Sequence, residues 1–79
     1  MTPTLAMKNI KAAIHAAPRN DFIAELHLQV IKYAEPLQKT TGKEFCEQVG
    51  LTPSFGTEYS KMRKIAERLR KAGLNTDKI

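Results

Sequence analysis

The stretch TGKEFCEQVGLTPS, residues 41 to 54, sets the tightest limit on what this chain can fold into. Thr41 stands three residues before Glu44, the spacing of a capping box, in which hydroxyl and carboxylate satisfy each other's free backbone N–H groups. Phe45, Cys46 and Val49 then follow at helical spacing, and Gly50 supplies the left-handed residue that closes a helix. Leu51 is expected to fold back onto the apolar side. A second helix start comes at once, with Thr52 as cap and Pro53 in the first turn, where its missing N–H costs nothing. Two helix signals this close leave one arrangement, two helices joined by a tight glycine-bearing turn.

The helix after the turn is expected to extend to about Ala72, with Gly73 as terminator. Phe55, Tyr59, Met62, Ala66 and Leu69 step by four, three, four and three residues, one face of a helix. Gly56 interrupts an otherwise favourable pattern at a cost of about 1 kcal/mol relative to alanine. The helix therefore starts either at Pro53 or at Thr57, with residues 53 to 56 forming a separate turn in the second case.

Two further helices precede the turn. The first covers about residues 4 to 16, capped by Thr2, carrying Ala6, Ile10, Ala13 and Ile14 inward and stopped by Pro18. The second starts after Asn20 as cap and runs to Glu35 or Leu37. Its apolar face includes Ile23, Leu26, Val30 and Leu37, widened by Phe22, Leu28 and Ile31. A face that wide is central to a core or shared with a second subunit. A chain of 79 residues buries little by itself, so a homodimer is expected. No segment alternates as a strand does. The fold class is all-α: one domain over residues 1–79, four helices, with a helix-turn-helix at about 42 to 72.

Charge narrows the partners. Thirteen Lys and Arg against eight Asp and Glu give a net charge of +5. Such a balance favours polyanions. Six basic residues fall between positions 61 and 71 against one acid, Glu67. The exposed positions Ser54, Thr57, Ser60, Lys61, Arg63, Lys64, Arg68 and Lys71 are the candidate DNA-binding residues. Small hydroxyls near the helix start suit approach to base edges, and the cations neutralise phosphates. Arg63 and Lys64 are the charged candidates for direct base contact, and the planar fork of Arg63 matches guanine O6 and N7. The plain alternative is an ordinary solvated face, with Arg68, Arg70 and Lys71 complementing the helix dipole and Glu58 pairing with Lys61.

Residues 42 to 62, with Phe45, Val49 and Leu51 around Gly50 and the small Cys46 inside the first helix to admit its neighbour, resemble the helix-turn-helix of bacterial and phage regulators. More broadly, ELHLQVIKYAEPL followed by GLTPSFGTEYSKMRK is similar to a group of small bacterial helix-turn-helix-like proteins over most of residues 10 to 70. The resemblance implies an all-helical fold and double-stranded DNA as partner. One departure is Gly56, where the motif usually carries a branched apolar residue.

Other chemistry finds no footing. His15 and His27 lie on different helices with no ligand pair beside them, so no metal or cofactor is expected. His27 reads as a partly buried residue with a bonded ring. Cys46 has no base at hand and reads as packing. One cysteine permits no internal disulfide, which suits the cytoplasm. No run is long and apolar enough to span a bilayer, and no nucleophile or phosphate-loop motif occurs, so no enzymatic activity is expected. The competing class is a module that docks on a larger protein partner through the apolar second helix.

Overall fold

The computed structural model describes residues 1–79 and contains four α-helices: α1 (Pro3–Ala16), α2 (Phe22–Lys32), α3 (Gly42–Val49) and α4 (Phe55–Lys71). Single 3₁₀ turns occupy Arg19–Asp21 and Thr76–Lys78. No helix is long and apolar enough to cross a membrane.

The helix ends follow local chemistry. Thr2 caps α1 by accepting from the Leu5 N–H at 3.1 Å. Ala17, just before Pro18, is extended at ψ 145, as the proline ring requires. At α3 both halves of the capping box form between Thr41 and Glu44. Its other end closes at Gly50, φ 83, where the N–H groups of Gly50 and Leu51 both donate to the Cys46 carbonyl, at 2.9 and 2.8 Å. The second of these is the six-to-one bond of a Schellman motif.

Three boundaries differ from expectation. Asn20 does not cap α2: it lies inside the 3₁₀ turn, and Asp21 holds the cap position without a side-chain bond. At its other end α2 stops at Lys32, short of Glu35 or Leu37. Pro36 is the reason, because its ring collides with the carbonyl of the residue four before it, which is Lys32. Residues 33 to 39 continue as loose turns instead. The start of α4 is the third. A tight turn carries Pro53 and Ser54, with Phe55 N–H donating to Thr52 O at 3.1 Å, and the helix begins at Phe55, between the two expected starts.

The core is assembled from all four helices: Ala6, Ile10 and Ile14 of α1, Leu26 and Val30 of α2, Phe45, Cys46 and Val49 of α3, and Tyr59 of α4, with Leu37 from the turns. Phe45 and Tyr59 stack with ring centroids 4.3 Å apart and planes 17° off parallel. Phe22 meets Phe55 edge to face at 6.2 Å, tying the start of α2 to the start of α4. Burial on α2 is narrower than its composition suggests, since Ile23 and Leu28 remain 45% and 43% exposed.

Candidate nucleic-acid interface

The orientation of α4 is set from beneath by two contacts. At the first, Gly42, which opens α3, lies against Gly56 of α4: a Cβ added to Gly42 would sit 3.3 Å from Gly56 Cα and 3.4 Å from its carbonyl oxygen. The two backbones come close where a side chain at position 42 would press on α4, while a Cβ at Gly56 would meet only ordinary contacts near 3.9 Å. Cys46, the small residue expected inside α3, is buried in the core that α3 and α4 share. Gly56, which looked like a flaw in the helix, is one half of the contact.

The second contact is a clamp on the turns after α2. Because Pro36 breaks the helix, the carbonyls of Gln38 and Thr40 lack the backbone donors that a continued helix would supply, and Leu37 O has only the Thr40 N–H at 3.0 Å. Two residues of α4 supply them. The buried Tyr59 hydroxyl donates to Thr40 O at 2.7 Å and Leu37 O at 3.1 Å. Arg63 Nη1 donates to Thr40 O at 3.0 Å, and Nη2 donates to Gln38 O. The Arg63 guanidinium also lies 5.2 Å from the centre of the Tyr59 ring. Burial pushes the Tyr59 phenol above its ordinary range, with the neighbouring arginine opposing part of the rise. Arg63, the sequence candidate for reading guanine, is thus half-buried and bonded to backbone carbonyls, a structural use. Sequence reasoning missed it because the acceptors come from a segment more than twenty residues away.

With α4 held in this way, its outer side is open. Thr57, Ser60, Lys61, Lys64, Arg68 and Lys71 are all exposed. At 3.6 residues per turn they fall within an arc of about 100° on the helix. Tyr59 and Ala66 are buried on the opposite side, with Phe55 and Met62 partly buried beside them. Ser54 stands at the head of the helix, its hydroxyl 2.8 Å from that of Thr52. Of the candidate residues, then, all but Arg63 lie at the exposed surface, and the four cations Lys61, Lys64, Arg68 and Lys71 share one side.

The edges of this arc differ from expectation as well. Glu58, which pairs with Lys61 in the solvated-face alternative, instead bonds His27 of α2 at 2.8 Å. That leaves Lys61 without a carboxylate partner at ion-pair distance. Lys71 is paired weakly with Glu67 at 3.4 Å, both strongly exposed. His27 holds the bonded ring expected of it. No three His, Cys, Asp or Glu side chains gather as a metal site would require. Burial raises the Cys46 thiol above its ordinary value, which favours the unreactive protonated form.

The comparisons agree with this architecture. A family model described as an HTH-like domain matches residues 3–72. No curated protein and no solved structure matches the chain.

Proposed function

The chain belongs to the family of HTH-like domains, and on that premise we propose that it binds double-stranded DNA through the outer arc of α4. The single observation that carries this is the segregation of α4: aromatic and apolar residues beneath, and hydroxyls and four cations on one exposed side. In this reading α4 enters the major groove with its N-terminal residues toward base edges. Ser54, Thr57 and Ser60 come close to the bases, with Lys61 and Lys64 reaching acceptors on guanine or the nearest phosphates. Arg68 and Lys71, farther along, neutralise backbone phosphates. Arg63 acts from behind by fixing the helix.

The finer reading is a cytoplasmic, sequence-specific transcriptional regulator that acts by occupying an operator as a homodimer, without catalysis. One short reading helix contacts few base pairs, so useful discrimination calls for two half-sites. Selection of bound sequences from a random duplex pool, with the mass of the protein measured free and on the selected site, tests this. Enrichment of a two-fold-related site is the expected result. A pool that stays random after repeated rounds would remove sequence-specific binding, and a monomeric mass on the selected site would remove the dimer.

A second reading rests on a separate observation, the exposure of Ile23 and Leu28 on α2 at 45% and 43%. Here α2 docks on a larger protein partner, and α3 and α4 are architectural. Triple charge reversal at Lys61, Lys64 and Arg68 separates the two, since it abolishes duplex binding in the first reading and leaves partner binding intact in the second.

A further inference from the structure

The outer arc of α4 leaves a neighbouring cleft unexplained. It has a volume of about 560 Å³ and lies between the C-terminal end of α2 and α4. Lys32, from the last turn of α2, and Lys64 and Arg70 of α4 stand on its walls. Ser60 and Lys64 also line the shallow concavity on the outer arc, so the two surfaces are continuous. Glu35 and Glu67 line the cleft as well, and each is turned to a cation: Glu35 to Arg70 at 3.7 Å and Glu67 to Lys71 at 3.4 Å. Both pairs are long and largely exposed, so a stronger anion can exchange for either carboxylate.

The opposite flank of α4 has a different character. It carries Glu58, held by His27, and then Ile65 and Leu69, which are 45% and 37% exposed. α4 itself carries no cation on that flank. A helix lying in a major groove has a phosphate strand on each side. The two flanks of α4 therefore offer those strands unequal reception.

We infer that the cleft receives the phosphates of one DNA strand, with Lys32 and Arg70 as its phosphate contacts and Glu35 released from Arg70 on binding. This rests on the DNA reading above and adds to it a second element, α2, and a polarity: one strand is gripped from the α2 side, while the other meets an apolar flank. The contacts are to phosphate, so they strengthen binding without selecting sequence.

The test is duplex affinity of the full chain as a function of salt, on a selected site and on a scrambled duplex. Four variants are compared with the parent protein: Lys32→Gln, Arg70→Gln, Glu35→Gln and Lys8→Gln. Lys8 is an exposed cation on α1, and controls for the loss of one unit of overall charge. Lys32→Gln and Arg70→Gln each lower the slope of log affinity against log salt by about 0.9, and weaken both duplexes alike by roughly eightfold at 0.1 M salt. Glu35→Gln tightens binding by freeing Arg70, and Lys8→Gln leaves the slope unchanged. If the parent binds with a steep salt slope but Lys32→Gln and Arg70→Gln behave as Lys8→Gln does, the cleft inference falls and the DNA reading stands. If the parent binds no duplex at low salt, both fall.

Discussion

The Thr40 carbonyl accepts two donors, the Tyr59 hydroxyl at 2.7 Å and Arg63 Nη1 at 3.0 Å, so the two side chains back each other up. Tyr59→Phe removes one donor. Thr40 O keeps Arg63, and Leu37 O keeps the Thr40 N–H at 3.0 Å. The cost is that of one neutral hydrogen bond, about 1 kcal/mol. Arg63→Met removes a charge-assisted bond to Thr40 O, a more exposed one to Gln38 O that water replaces, and the cation over the ring, for about 2 kcal/mol together. In the double variant Thr40 O has no donor left, and Thr40 is only 5% exposed. An orphaned buried carbonyl adds about 1 to 2 kcal/mol, so the double variant costs more than the sum of the singles by that amount. The assay is urea unfolding followed by circular dichroism for all four proteins, run near 15 °C because the double variant uses up much of a small domain's stability. A coupling within about 0.3 kcal/mol of zero would show that the carbonyl is not shared. If Arg63→Met instead keeps full stability and loses only duplex binding, Arg63 belongs on the DNA after all.

Three further outcomes are expected. Gly56→Ala stabilises by about 0.5 kcal/mol because its Cβ meets only ordinary contacts near 3.9 Å, whereas Gly42→Ala presses on the Gly56 backbone at 3.3 Å and is about 1 kcal/mol less stable than Gly56→Ala; equal melting temperatures for the two would refute the close contact. Stability falls at alkaline pH: the folded-state values of Cys46 and Tyr59 are raised above their ordinary 9.0 and 10.0, so their contributions are complete below those values and vanish as pH climbs through the folded ones. Tyr59→Phe should flatten the part of the urea midpoint profile above pH 10, and an unchanged profile would contradict the burial of the phenol. Finally, a thiol reagent should label buried Cys46 only as fast as the protein opens, and rapid stoichiometric labelling of the native state would contradict its place in the core.

Local features were the legible ones. The capping box at Thr41 and Glu44, the stop at Gly50, the cap at Thr2 and the break before Pro18 each depend on neighbours within a few residues, so the sequence displays them directly. The inward stripe of α4 was legible for the same reason from Phe55 through Tyr59 and Met62 to Ala66, which repeat with the helix. Leu69, expected on it, is 37% exposed because α4 runs past the core there. The end of α2 was also written locally, in Pro36, but the run of apolar residues past Lys32 masked it. What spacing along one helix could not reveal was partnership across the fold. The use of Arg63 depends on carbonyls released by a proline far upstream, and Glu58 answers to His27 on another helix. The meeting of Gly42 with Gly56 requires the chain to turn back after Gly50. The exposed arc could be listed from sequence, but its separation from Arg63 and Arg70 emerges only once the buried side of α4 is fixed.

The backbone contact between Gly42 and Gly56 leaves the pitch of α4 independent of every side chain on its outward side. Thr57, Ser60, Lys61 and Lys64 can be exchanged without disturbing the hydrophobic interior, because none of them belongs to it. If α4 reads DNA as proposed, the domain is a fixed handle with an interchangeable bit: a handful of substitutions would redirect it, with no renegotiation of the architecture that holds them.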